Sequence, residues 1–306
     1  MLTQINFQGA DGWALENDRV RAVVLPGHGG KVVSLRYVPN GFEFLFQNPK
    51  RVFRPAKTGD HFADFEACGF DDAFPAVDAS DVEVDGRVVA YPDHGELWSN
   101  AFDAAPDGDG LKLSFTSPLL GYRYEKRYHL EDGALVCDYH ISNPTGHGFP
   151  ALWVCHCLAR MEPDMRLMLP VTRVVSTNPG GWLAEKGQTM PYPNAQGPKG
   201  PIDLSRMPES GAIKFYADGP VSEGHCGYHY PQSGMKVWLD YDADKLPYLG
   251  FWATSGGFRG DYNCALEPAN GFYDSIPCAK AHHACPILQA GQEWRFRLTL
   301  RMEQDA

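Results

Sequence analysis

Short apolar segments recur along the chain, separated by Gly, Pro, Asn and Asp. Several of them alternate apolar and polar residues, which is the pattern of a strand with one buried face. In one segment the pair Asp85-Gly86 separates two such runs, which favours a two-residue hairpin turn. The pattern predicts strands or hairpins at residues 13–25 (turning near Asn17 and Asp18), 31–37, 42–46, 82–90, 111–116, 122–130, 134–141, 151–161, 235–240, 248–254, 262–266 and 294–302.

Helical periodicity is weak throughout the sequence. The 24 prolines also argue against long helices, since each interior proline costs about 3 kcal/mol. Many short strands with turn residues between them predict an all-β fold, a large antiparallel β-sandwich. Because the pattern keeps one character to the end, we expect a single domain over residues 1–306. Residues 178–210, rich in Pro and Gly, predict an irregular surface excursion within it.

The composition narrows the possible partners. Of 306 residues, 43% are hydrophobic, which is enough for a substantial core, and the formal net charge of −11 disfavours binding to nucleic acid. No leader pattern, membrane-spanning run or basic lipid-binding cluster is visible, so we expect a cytoplasmic protein with no membrane partner. The eight cysteines are scattered without a CxxC pair, and we expect reduced thiols rather than disulfides.

Three segments combine an ionisable group with aromatic neighbours. Glu267 follows the apolar run Cys264-Ala-Leu, so the chain predicts a partly buried carboxylate at a strand end, where Pro268 stops the strand. His156 lies within the apolar run 151–158, and His94 lies in a loop-like Pro-Asp-His-Gly sequence. Burial raises a carboxyl pKa towards neutrality, as a general base requires. Each residue also has a structural explanation: a salt bridge for Glu267, a core position for His156 and a hydrogen bond to Asp93 for His94.

A carboxylate and an imidazole together can open a cyclic hemiacetal. The reaction needs a base for the anomeric hydroxyl and an acid for the ring oxygen, and it needs no metal or organic cofactor. Trp98 and Trp252 are candidate platforms for a sugar ring, although either could equally be a core residue. Cys155-His156-Cys157 and His282-His283 contain metal-ligand residue types, but neighbouring strand residues point to opposite faces, so we expect no metal site.

At these residues the chain resembles the aldose 1-epimerase, or galactose mutarotase-like, superfamily. The resemblance runs in order through Leu25-Pro-Gly-His-Gly-Gly-Lys-Val-Val-Ser-Leu35, Phe42-Glu-Phe-Leu45, Gly69-Phe-Asp-Asp-Ala-Phe-Pro75, His94-Gly95, His156 and Glu267-Pro268. It implies the β-sandwich of that family, a sugar substrate and an isomerase active in carbohydrate metabolism. By the same resemblance Glu267 is the base, His156 the acid at the ring oxygen and His94 a second donor.

The chain departs from the family at three places. The usual His-Pro-Tyr-Phe motif reads His156-Cys-Leu-Ala here, and the sugar-binding arginine is missing from the segment that holds Asp71 and Asp72. The family's aspartate that binds a sugar hydroxyl has no clear counterpart in this sequence. These departures leave the identity of the sugar open and place the chain nearer to the divergent aldose and hexose-phosphate epimerase branches.

Two alternatives stay open at the level of sequence. The first is a glycan hydrolase or lyase that pairs Glu267 with a second carboxylate, Asp72 or Glu96, both of which are also candidates for contact with substrate. The second is a carbohydrate-binding protein without catalysis, since a fold does not fix a function. The sequence does not predict an oligomeric state.

Overall fold

The computed structural model describes residues 1–177, 183–198 and 200–305. Its strands are β1 (Leu2–Phe7), β2 (Ala10–Glu16), β3 (Val20–Leu25), β4 (Lys31–Tyr37), β5 (Phe42–Glu43), β6 (Phe70–Ala73), β7 (Ser80–Val84), β8 (Arg87–Tyr91), β9 (Asp103–Asp107), β10 (Gly110–Thr116), β11 (Arg123–Glu131), β12 (Ala134–Ser142), β13 (Phe149–Pro150), β14 (Val154–Cys157), β15 (Ala159–Arg160), β16 (Arg166–Met168), β17 (Arg173–Ser176), β18 (Thr189–Pro191), β19 (Asn194–Gly197), β20 (Gly200–Asp203), β21 (Gly211–Ala217), β22 (His225–Tyr230), β23 (Met235–Tyr241), β24 (Tyr248–Ser255), β25 (Tyr262–Ala269), β26 (Ile287–Leu288) and β27 (Glu293–Gln304). Helical structure comprises two 3₁₀ turns, Phe62–Asp64 and Leu97–Ser99, and the helix α1 (Ile276–Ala281).

Two large antiparallel sheets form the sandwich. The 13-stranded sheet runs in the order β1-β2-β3-β4-β6-β14-β25-β24-β21-β17-β18, with β5 beside β4 and β15 beside β25. The 8-stranded sheet has the order β16-β22-β23-β27-β12-β11-β10-β9. The main hydrophobic cluster contains residues of both sheets, among them Val24, Leu35, Tyr124 and Leu300. The predicted antiparallel β-sandwich is therefore confirmed.

Local turn chemistry sets the hairpins that the sequence predicts. In the β2–β3 turn the side chain of Asn17 accepts a hydrogen bond from the backbone N–H of Val20 at 2.7 Å. In the β7–β8 turn Asp85 and Gly86 both have positive φ angles, 51° and 70°, as a type I′ turn requires. Both predicted hairpins are confirmed.

The prediction that Pro268 ends a strand is wrong, because β25 continues to Ala269. On the side of β25 away from β24 the sheet has a gap: β15 pairs with Cys264 and β14 with Ala269, and no strand among the described residues pairs with the residues between. On that side the N–H of Leu266 donates to the hydroxyl of Tyr228 instead of to a strand. By strand alternation the nitrogen of Pro268 faces the same side, so its missing N–H interrupts no ladder there.

Two further expectations need correction. The predicted strand at 151–161 is divided into β14 and β15, and the predicted excursion at 178–210 contains β18, β19 and β20 in its described part. Residues 178–182 and 199 of that segment lie outside the described residues. Among the described residues no helix is long and apolar enough to cross a bilayer. The eight cysteines are free thiols in the structure, and six of them are buried.

Candidate active site

One cavity of about 290 Å³ contains the three residues that the sequence singles out for chemistry. His94 reaches it from the loop after β8, His156 from β14 and Glu267 from β25. The side chains that line it are Phe62, Ala67, Val77, Asp78, His94, His156, Leu158, Thr177, Lys186, Lys214, Trp252, Phe258, Asn263, Glu267, Tyr273, Asp274, Ser275 and Cys278. Residues far apart in sequence thus meet because β14, β25, β24 and β21 are consecutive neighbours in the large sheet.

His156 is held by a buried carboxylate. Its Nδ1 lies 2.7 Å from Oδ1 of Asp71, and the other oxygen of Asp71 lies 3.0 Å from the ammonium of Lys31. Burial alone would raise the pKa of Asp71, but Lys31 and His156 outweigh it and hold that pKa well below its usual range. An ionised Asp71 accepts the Nδ1 proton of His156, which leaves Nε2 as the ring nitrogen available for a ligand.

His94 is fixed by a hydrogen bond and by stacking. Its Nδ1 lies 2.8 Å from Oδ1 of Asp93, and its ring stacks on Phe62 with centroids 3.9 Å apart. The rings of His94 and His156 are 5.1 Å apart, close to perpendicular. Burial lowers the pKa of His94, and His156 contributes to the lowering, although Asp93 acts in the opposite direction. The neutral form of His94 is therefore favoured.

The backbone around His94 leaves little freedom. His94 has a φ of 56°, an uncommon left-handed conformation for a residue with a side chain. The next residue, Gly95, has a φ of 72°, and a Cβ there would lie 1.9 Å from the carbonyl oxygen of Phe74. A glycine at position 95 is thus required by the close approach of this loop to Phe74, the residue that follows β6.

Glu267 is buried beside a lysine. Its side chain is 3% exposed, and its Oε2 lies 3.1 Å from the ammonium of Lys214. The same ammonium lies 2.9 Å from Oδ1 of Asp274. Burial raises the pKa of Glu267, Lys214 lowers it and Asp274 raises it again, so that the net shift is upward. This is the direction expected for a general base that works near neutral pH.

Of the two candidate tryptophans, Trp252 lines the cavity and Trp98 does not. Trp98 is buried, and its indole N–H donates to the carbonyl oxygen of Asp93 at 2.9 Å. Because Asp93 holds His94, Trp98 supports the loop of that histidine rather than facing the cavity.

The two carboxylates considered as substrate contacts lie elsewhere. Asp72 is fully buried, where it binds Lys126 and the hydroxyl of Tyr139, each at 2.9 Å. It faces away from Asp71 because neighbouring strand residues point to opposite faces. Glu96 is also fully buried and accepts a hydrogen bond from Ser117 at 2.7 Å. Neither residue lines the cavity, so these two expectations are corrected.

Sequence reasoning missed most of the charged residues that hold the three candidates. Asp93 could be found, since it precedes His94 and its hydrogen bond to that ring was considered. Asp71 and Lys31 lie in segments that resemble the family, but nothing in the sequence pairs them with His156. Lys214 and Asp274 carry no local motif: the pairing of β21, β24 and β25 brings Lys214 to Glu267, and Asp274 lies in the segment between β25 and α1. Among the described residues no cluster of three or more His, Cys, Asp or Glu side chains is arranged to hold a metal ion.

Solved structures share this fold along nearly the whole chain. The Slr1438 protein from Synechocystis superposes with a TM-score of 0.73 at 16% identity, covering 98% of both chains. A galactose mutarotase-like protein from Lactobacillus casei gives 0.72 at 16% identity, over 95% of this chain and 100% of that one. An aldose epimerase homologue from C. elegans gives 0.66 at 12% identity, over 95% and 97%. The fold is that of the galactose mutarotase-like β-sandwich proteins, as the resemblance implied.

The family itself is identified from sequence. Residues 140–302 match the family described as a domain of unknown function, DUF4432, and since this is more than half of the chain, the protein belongs to that family. The matched part includes His156, Lys214, Glu267 and Asp274, whereas His94 precedes it. No curated protein sequence matches the chain significantly.

Proposed function

We propose that this protein is an aldose 1-epimerase-like enzyme, which interconverts the α and β anomers of a free sugar. The observation that carries the proposal is the convergence of Glu267, His156 and His94 on one cavity. The cavity, about 290 Å³, is of a size for one monosaccharide ring and offers Trp252 as a platform for the C–H face of that ring. The fold shared with an aldose epimerase homologue is consistent with this class of reaction.

Each group has a role set by its surroundings. Glu267 takes the proton of the C1 hydroxyl, while Nε2 of His156 donates a proton to the ring oxygen as the C1–O5 bond breaks. The products are an open-chain aldehyde, a protonated Glu267 and a neutral His156. After rotation about C1–C2 the same groups act in reverse, so that the ring closes to the other anomer and both protons return.

Asp71 supports this role of His156. Its negative charge stabilises the imidazolium form that donates the proton, and its hydrogen bond fixes the ring. His94 lies beside the imidazole ring of His156. It is a hydrogen-bonding partner for the ring oxygen of the sugar or for a neighbouring hydroxyl.

The hydrolase alternative finds less support in the arrangement of the carboxylates. Asp72 and Glu96, the partners first considered for Glu267, are buried outside the cavity. Asp274 does lie near Glu267, but the ammonium of Lys214 stands between the two carboxylates. A glycosidase needs that space for the glycosidic bond or a water molecule.

The test is the rate of anomer exchange, measured by NMR on a panel of free and phosphorylated aldoses. Glu267→Gln keeps the shape and removes the base, and we expect it to lower the exchange rate by at least about 10², the size of a general-base effect. Glu293→Gln, the same change on an exposed residue of β27, is the matched control and should leave the rate unchanged.

The outcomes separate the candidate functions. Full activity in the Glu267→Gln variant would refute the assignment of Glu267 as the base. Binding of a sugar without any acceleration of exchange by the wild-type protein would instead favour a carbohydrate-binding protein.

A further inference from the structure

Lys214 is the buried cation of the cavity, and its ammonium is shared by two carboxylates. It lies 3.1 Å from Oε2 of Glu267 and 2.9 Å from Oδ1 of Asp274. All three side chains are largely buried, with exposed fractions of 14% for Lys214, 3% for Glu267 and 13% for Asp274. Charges in such surroundings interact more strongly than exposed ion pairs, because water screens them less.

The sheet leaves room for this contact. Lys214 on β21 pairs with Trp252 on β24, whereas Glu267 on β25 pairs with Gly250. A Cβ at position 250 would lie 3.2 Å from Oε2 of Glu267 and 2.9 Å from the ring of Tyr216. The absence of a side chain at Gly250 therefore lets the lysine reach diagonally across β24 to the glutamate.

Asp274 is fixed from a second direction. The hydroxyl of Tyr216 donates to Oδ1 of Asp274 at 2.7 Å, the same oxygen that binds Lys214. Asp274 in turn accepts backbone hydrogen bonds from Val77 and Asp78 through its carbonyl oxygen, each at 3.0 Å. The ammonium of Lys214 is thus held between Asp274 and Glu267, and a movement towards one carboxylate would lengthen its contact with the other.

Lys214 approaches the carboxylate of Glu267 at Oε2, a buried oxygen to which the described residues donate no other hydrogen bond.

We propose that Lys214 is a positioning residue for Glu267: by sharing its ammonium with Asp274 it keeps the glutamate ionised and anchored through Oε2. This inference rests on the proposed function for the role of Glu267 as base. Lys214 itself does not touch the reacting atoms. Lys214 lowers the pKa of Glu267 because its charge is positive, whereas Asp274 raises that pKa because its charge is negative.

The experiment compares Lys214→Met with Asp274→Asn in the pH dependence of kcat/KM for anomer exchange. Lys214→Met removes the cation and should move the acid limb of the profile to higher pH, by about one pH unit or more. Asp274→Asn removes the competing carboxylate and should move the limb to lower pH. Lys112→Met, which removes an exposed lysine paired with Glu125, is the matched control and should leave the limb in place. Asp274→Asn retains the lysine, so it remains informative even if Lys214→Met does not fold.

A second readout does not depend on activity. The side-chain carboxyl of Glu267 is titrated by ¹³C NMR in the wild-type protein and both variants, with its signal assigned by its loss in Glu267→Gln. Opposite displacements of its midpoint support the proposal, even if no aldose is turned over and the proposed function itself fails. An Asp274→Asn variant whose Glu267 titrates at the wild-type pH, or higher, would overturn it.

Discussion

Two histidines of the same cavity differ because of their immediate neighbours. Asp71 binds Nδ1 of His156 and is itself paired with Lys31, so the carboxylate is ionised and can support a positive imidazolium. His94 has Asp93 as a comparable neighbour, yet burial lowers its pKa. The residue types alone do not assign the acid, and the distinction comes from what surrounds each ring.

The contact between Asp71 and His156 leads to a prediction for Asp71→Asn. We expect the rate constant kcat for anomer exchange to fall by about 10- to 100-fold, with little change in KM, because the acid loses the negative charge that stabilises its protonated form. The tautomer of His156, followed by ¹⁵N NMR, should lose its preference for a proton on Nδ1. A variant with wild-type kcat and an unchanged tautomer would contradict the assignment of Asp71.

At this scale the sequence could identify residue types but not their partners. Glu267, His156 and His94 stand out by their local context, and the structure brings them to one cavity. Trp98 and Trp252 look equivalent in sequence, and only their burial separates a loop support from a cavity wall. Lys214 could not be found at all, since its importance comes from a contact with a residue 53 positions later in the chain, Glu267.

At the scale of elements, β6 divides two adjacent carboxylates between two environments. Asp71 faces the cavity and His156, whereas Asp72 faces the interior between the sheets and binds Lys126. The ion pair between Asp72 and Lys126 is fully buried, and the ammonium of Lys126 also lies over the rings of Phe102 and Tyr128. One strand of four residues therefore serves both the site and the core.

This division predicts different effects for neighbouring positions. Lys126→Met should lower the free energy of unfolding by about 3 to 5 kcal/mol, because it leaves the charge of Asp72 buried without its cation. Denaturant unfolding measures the loss. The double variant Lys126→Met with Asp72→Leu should recover most of it, since replacing a whole buried ion pair by apolar groups is often neutral. A single variant as stable as the wild type would show that this pair is not important for stability.

The strands near Glu267 also show where local rules fail. Pro268 predicts a strand end, yet β25 continues past it because the sheet has a gap on the side that its nitrogen faces. A gap of this kind depends on where β14 and β15 stop, which is far away in sequence. It also leaves Glu267 beside a stretch of strand without a neighbour on one side, next to the cavity.

For the whole molecule, the class of fold was predictable because strand signals are local. Alternation marks most of the strands of the 8-stranded sheet and the first hairpins of the larger one, and the turn residues Asp85-Gly86 mark the separate β7–β8 hairpin. The order β6-β14-β25-β24-β21, which builds the site, joins segments separated by many residues. It follows from packing between the two sheets, and no local pattern specifies it.

For the whole molecule, we expect His94 to contribute to the pH dependence of the free energy of unfolding. Burial lowers the pKa of His94 in the folded state, whereas in the unfolded chain it titrates near its usual value of about 6.5. As the pH falls below that value the unfolded chain binds a proton that the folded protein takes up only at lower pH, so stability decreases. One such group contributes at most about 1.4 kcal/mol for each pH unit.

Denaturant unfolding between pH 7.5 and 5.5 should therefore show a steeper loss of unfolding free energy in the wild type than in His94→Gln, which has no proton to bind there. Equal slopes in the two proteins would mean that His94 titrates alike in the folded and unfolded states, and its assignment as the neutral histidine of the site would then be wrong.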